Sequence, residues 1–326
     1  MEKILLKTIT PVHIGNGHKI TSLEYVKTEG YIKILNLDRL FSLLSEEKIN
    51  LITKQIEENR INFSQLNINL DEVTKYKLSF NIRNFKFKEV VEFIKTYEKG
   101  QVGVYIPGSE IKGAIRTALL YKILNENWNY FRKLILQGHR IKNDKNLAKK
   151  LENKIFREPS QDFMKYLLIS DTEIVDCENL QLEEVEIFNS KRKFSEYVEC
   201  LKPNIELKFS VKINTKGLNK GENRYAKELL SWKRSCYEFS KDLIDWEIKY
   251  WEGRNPRMKD FYKRLKKENK EDEPLLRIGR FTGRLSHTIL MLIYKKEKYF
   301  KTNLLPKTRR ITSNYEPLGW IKLKKS

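Results

Sequence analysis

The sequence predicts an α+β fold of two modules, each with its own antiparallel sheet. Three observations predict it. Apolar residues alternate at strand spacing in both halves, over 76–82 and again over 196–201 and 205–213. Runs with helical spacing lie between the strands, the longest over 225–250. Each half also carries a glycine turn expected to open into a helix, at Pro107-Gly108 and at Gly279 to Gly283. No repeat of short period is present. The second module is expected to start near residue 185, giving modules 1–184 and 185–326.

Residues 4–9 form a short apolar strand that Thr10-Pro11 stops, and 12–17 follow as a glycine-rich turn. A strand pair is expected at 23–26 and 31–35. Asp38 then caps a helix carrying Leu40, Leu43 and Leu44, and 46–58 form another. The strict alternation of 76–82 is that of a half-buried strand, and 90–96 supply the next. The segment 125–159 is polar and basic with little apolar periodicity, and reads as an insertion with helical stretches. Residues 167–175 return to strand character, and 196–201 and 205–213 flank Pro203-Asn204 as a hairpin. Tyr225, Leu229, Trp232, Cys236, Phe239, Leu243, Trp246 and Tyr250 then repeat at steps of four and three. That stripe is about 38 Å long at 1.5 Å per residue. Large aromatics do not suit a tight two-stranded seam, so it packs on its own chain or on a neighbouring subunit. Residues 259–273 read as a solvated mixed-charge stretch, 289–293 as a buried run, and 317–323 as a turn and last strand anchored by Trp320.

Lys and Arg number 64 against 43 Asp and Glu, a formal net charge of +21 on 326 residues. The excess is spread along the chain. A folded protein this basic binds a polyanion, nucleic acid first; the plainer alternative is charge that serves solubility or thermostability. No apolar run approaches the ~20 residues of a membrane span. Met1-Glu2-Lys3 leads into the first strand without a signal-peptide layout. Cys177, Cys200 and Cys236 are widely spaced and read as buried thiols in a reducing cytoplasm. The four histidines do not stand at metal-ligand intervals, and neither metal nor cofactor is expected.

Two loops carry the chemistry. In Pro107-Gly108-Ser109-Glu110-Ile111-Lys112-Gly113-Ala114-Ile115-Arg116, Ser109 reads as an N-cap, and Lys112 and Arg116 share one helix face. A lysine in the first turn opposes the helix dipole at a cost of about 0.3–1 kcal/mol. A phosphate on the free backbone N–H groups reverses that sign, and glycine lets a sugar-phosphate chain come close. Replacing Lys112 and Arg116 together is expected to weaken RNA binding and leave the fold intact. The second loop, Arg277-Ile278-Gly279-Arg280-Phe281-Thr282-Gly283-Arg284, sets three arginines beside two glycines without an acid. Phe281 is a candidate for stacking on a base, and Ser286 for capping the next helix. The competing reading is a solvated loop with Phe281 buried.

Three blocks resemble the RAMP superfamily of CRISPR proteins, and within it the fifth subunit of type III-A Csm effector complexes. They are Thr10-Pro11-Val12-His13-Ile14-Gly15, Ile106-Pro107-Gly108-Ser109 with Lys112, Gly113 and Arg116, and Gly279 and Gly283 with the closing Pro317-Leu318-Gly319-Trp320. The chain departs from the pattern at Glu110, where a second serine is common, and has fewer glycines in its last loop. The resemblance implies ferredoxin-like (RRM-like) modules and binding of CRISPR RNA at its 3′ portion. It also implies assembly with other Csm subunits, above all the repeated backbone RAMP subunit, and a role in guide maturation through nucleases that trim the RNA. It assigns no catalysis to this subunit. The RNA-binding residues it suggests, with the loop readings above, are His13, Gly15, Gly108, Ser109, Lys112, Gly113, Arg116, Arg277, Gly279, Arg280, Phe281, Gly283 and Arg284. One alternative is a metal-independent endoribonuclease of the same superfamily with His13 as its base; another is a basic scaffold protein of a different ribonucleoprotein.

Overall fold

The computed structural model describes residues 1–58, 62–80, 82, 85–86, 88–98, 101–140, 147–191, 194–220, 223–297 and 305–326. The first strand, Glu2–Thr8, alternates Ile4 and Leu6 inward with Lys3 and Leu5 turned away. It is the centre of a five-stranded antiparallel sheet in the order Leu275–Arg277, Trp320–Lys325, Glu2–Thr8, Glu206–Ile213, Leu167–Ile169. The register sets Leu6 between Leu207 and Leu323, all three buried.

A second, eight-stranded sheet runs Gly15–Ile20, Val90–Phe93, Ser195–Leu201, Leu180–Phe188, Thr74–Phe80, Tyr31–Leu35, Tyr25–Lys27, with Arg309–Thr312 also paired to Leu180–Phe188. It is mixed: Ser195–Leu201 lies parallel to Val90–Phe93, and Leu180–Phe188 parallel to Thr74–Phe80. A small sheet joins Val175–Asp176, Gln101–Val104 and Lys95–Glu98. The α+β class holds, but only one of the two large sheets is antiparallel throughout.

Two helices form the centre of the core. Gly108–Glu126 packs on the aromatic helix Trp232–Trp251, where Tyr121 and Phe239 meet edge to face with ring centres 5.2 Å apart. The Tyr121 hydroxyl donates to Asp242 at 2.5 Å. Trp232, Cys236, Phe239 and Leu243 are buried, so the stripe serves this chain's own interior. Its first residues, Ala226–Ser231, are a 3-10 turn that precedes the helix.

Several expectations need correction. Asn36, not Asp38, caps Leu37–Ser42, through its side chain on the Arg39 N–H. Residues 15–17 belong to a strand, not a turn. The strands about Pro203-Asn204 are no hairpin: Ser195–Leu201 and Glu206–Ile213 belong to different sheets. Asn204 takes a positive φ of 66°, and Thr8 holds the crossing, its hydroxyl donating to the Lys202 carbonyl and accepting from the Ile205 N–H. The segment 125–159 is not peripheral, since Phe131, Ile135, Leu151, Ile155 and Phe156 join the main core. Of that segment, 141–146 lie outside the described residues, as does Asn81 in the predicted strand 76–82. Likewise Pro256–Glu268 is a helix that buries Met258, Tyr262 and Leu265. The division proposed at 184/185 falls inside Leu180–Phe188, and Glu2–Thr8 pairs with two strands of the second half.

Candidate nucleic-acid interface

Three backbone segments far apart in sequence lock together at one corner. The Gly319 N–H donates to the Pro11 carbonyl (2.8 Å), the Ile278 N–H to Gly319 (2.9 Å), and the Arg280 N–H to His13 (2.9 Å). Thr10 Oγ1 accepts the Trp320 N–H at 2.9 Å. Gly279 and Gly319 have φ of 81° and 87°, and a Cβ on either would collide with backbone, the His13 carbonyl for Gly279 and the Ile278 carbonyl for Gly319. Glycine is needed there because two backbone segments of the same chain touch. Gly283, also at positive φ, is exposed and has open space around it.

His13 and Phe281 face inward from this corner. His13 is fully buried; its Nδ1 lies 2.7 Å from the Glu199 carbonyl. A carbonyl only accepts, so Nδ1 carries the proton and Nε2 is a buried lone pair without a partner. The His13 pKa lies at about 4: burial lowers it most, the carbonyl bond raises it, and the charges of Arg280 and Lys95 lower it. A Cβ at Gly15 would stand 3.0 Å from Nε2, so glycine leaves that side to the imidazole. Glu199, itself buried, accepts from Tyr76 Oη (2.7 Å), the Phe93 N–H (2.8 Å) and Lys95 Nζ (2.5 Å), which satisfies its charge. Phe281 is 5 % exposed and packs with Val91, Val185, Val198, Cys200 and Leu318, its ring 5.5 Å from His13. Neither side chain is therefore available to RNA in this structure: His13 is not a base facing a strand, and Phe281 is a wedge in the core.

Outside the corner lies a cleft of about 340 Å³ between the second glycine loop and residues 306–310. Arg277, Arg280, Arg284, Arg309 and Arg310 line it, against Glu247 as the one carboxylate. Glu247 is committed: both its oxygens accept from Arg309 Nε, at 2.8 and 2.9 Å. Arg309 Nη1 donates to the Pro306 and Thr308 carbonyls, its guanidinium lies 3.7 Å from the Tyr250 ring centre, and its buried Nη2 has no partner. Arg277 is buried and donates to the Leu318 carbonyl at 2.9 Å. Arg310 reaches Glu196 at 3.2 Å and stays partly exposed. Arg280 and Arg284 are exposed and make no ion pair among the described residues. The cleft thus has two fixed arginines in its wall, Arg280 and Arg284 open at its mouth, and Arg310 beside them tied to Glu196. Ser286 does not cap the following helix; it is buried and donates to the Thr282 carbonyl.

The mid-chain block lies apart from this corner. Pro107, not Ser109, occupies the N-cap of Gly108–Glu126, and the Gly108 N–H donates to Asp171 Oδ1 at 2.7 Å. One of the N–H groups expected to hold phosphate is therefore met by an internal carboxylate. A Cβ on Gly108 would stand 2.6 Å from the Ile169 carbonyl, so this glycine too serves packing. Arg116 is held by Asp162 (2.5 Å) and Glu152 (3.6 Å), with its guanidinium 3.8 Å over the Phe156 ring centre. It ties Gly108–Glu126 to the helix Leu147–Phe156 and to Asp162. Ser109 and Gly113 are exposed, and Lys112 is half-buried without an ion pair among the described residues. Burial lowers the Lys112 pKa; Asp162 opposes this and Arg116 adds to it. The helix runs beside the turn Arg284–His287, which brings the two blocks onto neighbouring elements.

The sequence reading missed Arg309, Arg310 and Glu247. A signal for Glu247 existed: it stands four residues after Leu243 and four before Trp251, on the buried face of the stripe, where a carboxylate needs a cation. Among the described residues no group of three or more His, Cys, Asp or Glu is placed to hold a metal ion. No described helix is long and apolar enough to cross a membrane.

The family model of the RAMP superfamily matches residues 5–286. The chain belongs to that superfamily. It is 27 % identical to the CRISPR system Cms protein Csm5 of Methanocaldococcus jannaschii, over 98 % of this chain and 88 % of that one. It is 23 % identical to the protein of the same name from Streptococcus thermophilus, over 76 % of this chain and 75 % of that one. Two solved structures share its fold. One is a chain of the cryo-EM structure of a Csm–crRNA–target RNA ternary complex of a type III-A CRISPR-Cas system, at TM-score 0.76 and 23 % identity, covering 99 % of this chain and all of that chain. The other is the crystal structure of T. onnurineus Csm5, at TM-score 0.78 and 22 % identity, covering 97 % and 99 %.

Proposed function

We propose that this chain is a non-catalytic, guide-binding subunit of a type III-A CRISPR Csm effector complex. It seats the 3′ portion of the CRISPR RNA, contacts the repeated backbone RAMP subunit, and supports guide maturation by engaging nucleases that trim the RNA in the cytoplasm. The observation that carries this reading is the arginine cleft on a RAMP fold. Arg280 and Arg284 open onto it without an ion pair among the described residues, Arg310 stands beside them paired with Glu196, Glu247 is held by Arg309, and arginine forks match phosphate oxygens. Ser109, Lys112 and Gly113, on the helix beside Arg284–His287, offer a second contact along the strand. The likeness to Csm5 proteins over nearly the whole chain supports the complex over another ribonucleoprotein. The two large sheets, with helices between and around them, support a reading as two merged ferredoxin-like modules.

The endoribonuclease reading needs a base that can reach a 2′-hydroxyl. His13, its named base, is buried with its proton on the carbonyl side. The test is purification of the tagged chain from cells carrying the full complement of Csm subunits. The expected result is a complex whose RNA is a guide of defined length, and whose 3′ ends lengthen or blur when Arg280 and Arg284 are replaced by Ala. Recovery of ribosomal or other structured RNA in its place overturns the proposal. Cleavage of RNA by the purified chain, abolished in His13→Ala, hands the argument to the enzyme.

A further inference from the structure

The helices Trp128–Arg140 and Leu147–Phe156 border a second basic surface that the arginine cleft does not include. Tyr130, on the helix Trp128–Arg140, is 62 % exposed. The Arg224 guanidinium lies 4.9 Å from its ring centre and 4.6 Å from that of Tyr225, giving a Tyr225–Arg224–Tyr130 stack that ends in an open ring. Arg224 also donates to the Tyr225 hydroxyl. Lys154 Nζ lies 6.0 Å from the same Tyr130 ring. These residues line a hollow of about 250 Å³, and a second hollow of about 190 Å³ continues it, sharing Arg157 and Asn223 and adding Lys165 and Tyr166. Lys165 Nζ stands 5.3 Å over the Tyr166 ring, so the pairing of a cation with a tyrosine occurs twice along the groove. Among the described residues no carboxylate lines either hollow. The nearby acids are engaged elsewhere: Glu152 and Asp162 hold Arg116, and Glu158 accepts from Asn153.

We propose that this groove is a second site for single-stranded RNA, in which a base stacks on Tyr130 while Lys154 and Arg224 meet the phosphates beside it. An exposed aromatic ringed by cations and free of acids is the chemistry of sequence-tolerant single-strand binding. The proposal takes from the reading above only that RNA is the ligand, and it stands apart from the arginine cleft. Arg224 is seated against two rings and bonded to the Tyr225 hydroxyl, so its charge already stands beside Tyr130 before RNA arrives.

The test is anisotropy of labelled oligouridylate on the full chain across a salt series, with Tyr130→Ala, Tyr130→Trp, Lys154→Ala and the Arg280/Arg284 double variant measured together. Tyr130→Ala is expected to weaken binding about fivefold or more with an unchanged salt slope, since the ring carries no charge. Tyr130→Trp is expected to retain affinity. Lys154→Ala is expected to reduce the slope by about 0.7. Equal affinity for Tyr130→Ala and the parent, at equal melting temperature, overturns the proposal. So does Tyr130-dependent binding of polyglutamate without any effect on RNA, which assigns the groove to an acidic protein. Loss through Tyr130 with no loss through Arg280 and Arg284 keeps this groove and removes the cleft, so the two readings fail separately.

Discussion

Replacing Arg280 and Arg284 together by Ala tests the cleft most directly. Both are exposed and outside any ion pair among the described residues, so the native fold depends little on their charges. Arg280 does lie 4.8 Å from the Phe281 ring centre, a contact that costs about 0.5–1 kcal/mol to lose at an exposed site. Each phosphate neutralised on a single strand contributes about −0.7 to the slope of log affinity against log salt. Five contacts give a slope near −3.5, and removing two brings it to about −2.1. The difference of about 1.4 is a factor of roughly 25 per tenfold change in salt, well beyond the scatter of an anisotropy titration. The variant is therefore expected to bind far more weakly than the parent in dilute salt and to converge on it in concentrated salt. Parallel lines for variant and parent, with matching melting curves, refute the claim that these arginines meet phosphate.

Lys112 and Arg116, expected to act as a pair, should separate. Arg116→Ala is predicted to lower stability by about 1–2 kcal/mol in thermal melts, through loss of Asp162 and the Phe156 face, with little change in salt slope. Lys112→Ala should leave the melt alone and reduce the slope. Phe281→Ala should cost about 3–5 kcal/mol, the price of emptying a buried aromatic site, and leave the slope unchanged because both flanking arginines remain. His13 sets a pH dependence of stability: its folded pKa of about 4 lies below the ordinary 6.5, so the unfolded chain binds the extra proton between them. Stability is fully present above about pH 6.5 and falls as pH drops toward 4, by up to about 3 kcal/mol from this group. Denaturant titrations of His13→Gln and parent at pH 7 and pH 4.5 check it; an equal loss in both removes His13 as the cause.

Much of the fold was legible because burial imposes a period. The strands at 4–8, 31–35 and 76–80, the helix at 46–57 and the anchor Trp320 each follow from local alternation or helical spacing, and each lies where that pattern puts it. What the pattern does not hold is pairing. Nothing in 196–213 says that a corner at Asn204 sends one strand to each sheet, because both choices bury the same residues. The helices Trp128–Arg140 and Leu147–Phe156 looked polar in sequence, yet Phe131, Ile135, Ile155 and Phe156 join them to the core. The site was half legible for a similar reason. Charge runs located Arg280 and Arg284 correctly as open cations, while Arg116 and Arg277 look identical in sequence and are spent on internal partners. Cations are told apart by their carboxylates, and those come from Asp162, Glu196 and Glu247, remote in the chain.

The residues that carry the family resemblance act mainly on backbone. Gly279 and Gly319 allow three segments to touch, and His13 and Phe281 fill the space behind them. Phe281 holds a positive φ of 68°, a conformation that costs a non-glycine residue about 1–3 kcal/mol. Burying its ring returns about 1.5–3 kcal/mol, so the strained turn is held by packing. Arg280 is tied at its N–H to His13, one residue before that buried ring, and Arg284 follows Gly283 three residues further on. The backbone that bears both arginines is thereby fixed before any ligand binds, which leaves mainly side-chain ordering, about 0.5–1.5 kcal/mol each, to be met on binding. On the proposed function, glycines and a buried phenylalanine serve RNA without touching it: they make a fixed corner from which arginines reach outward.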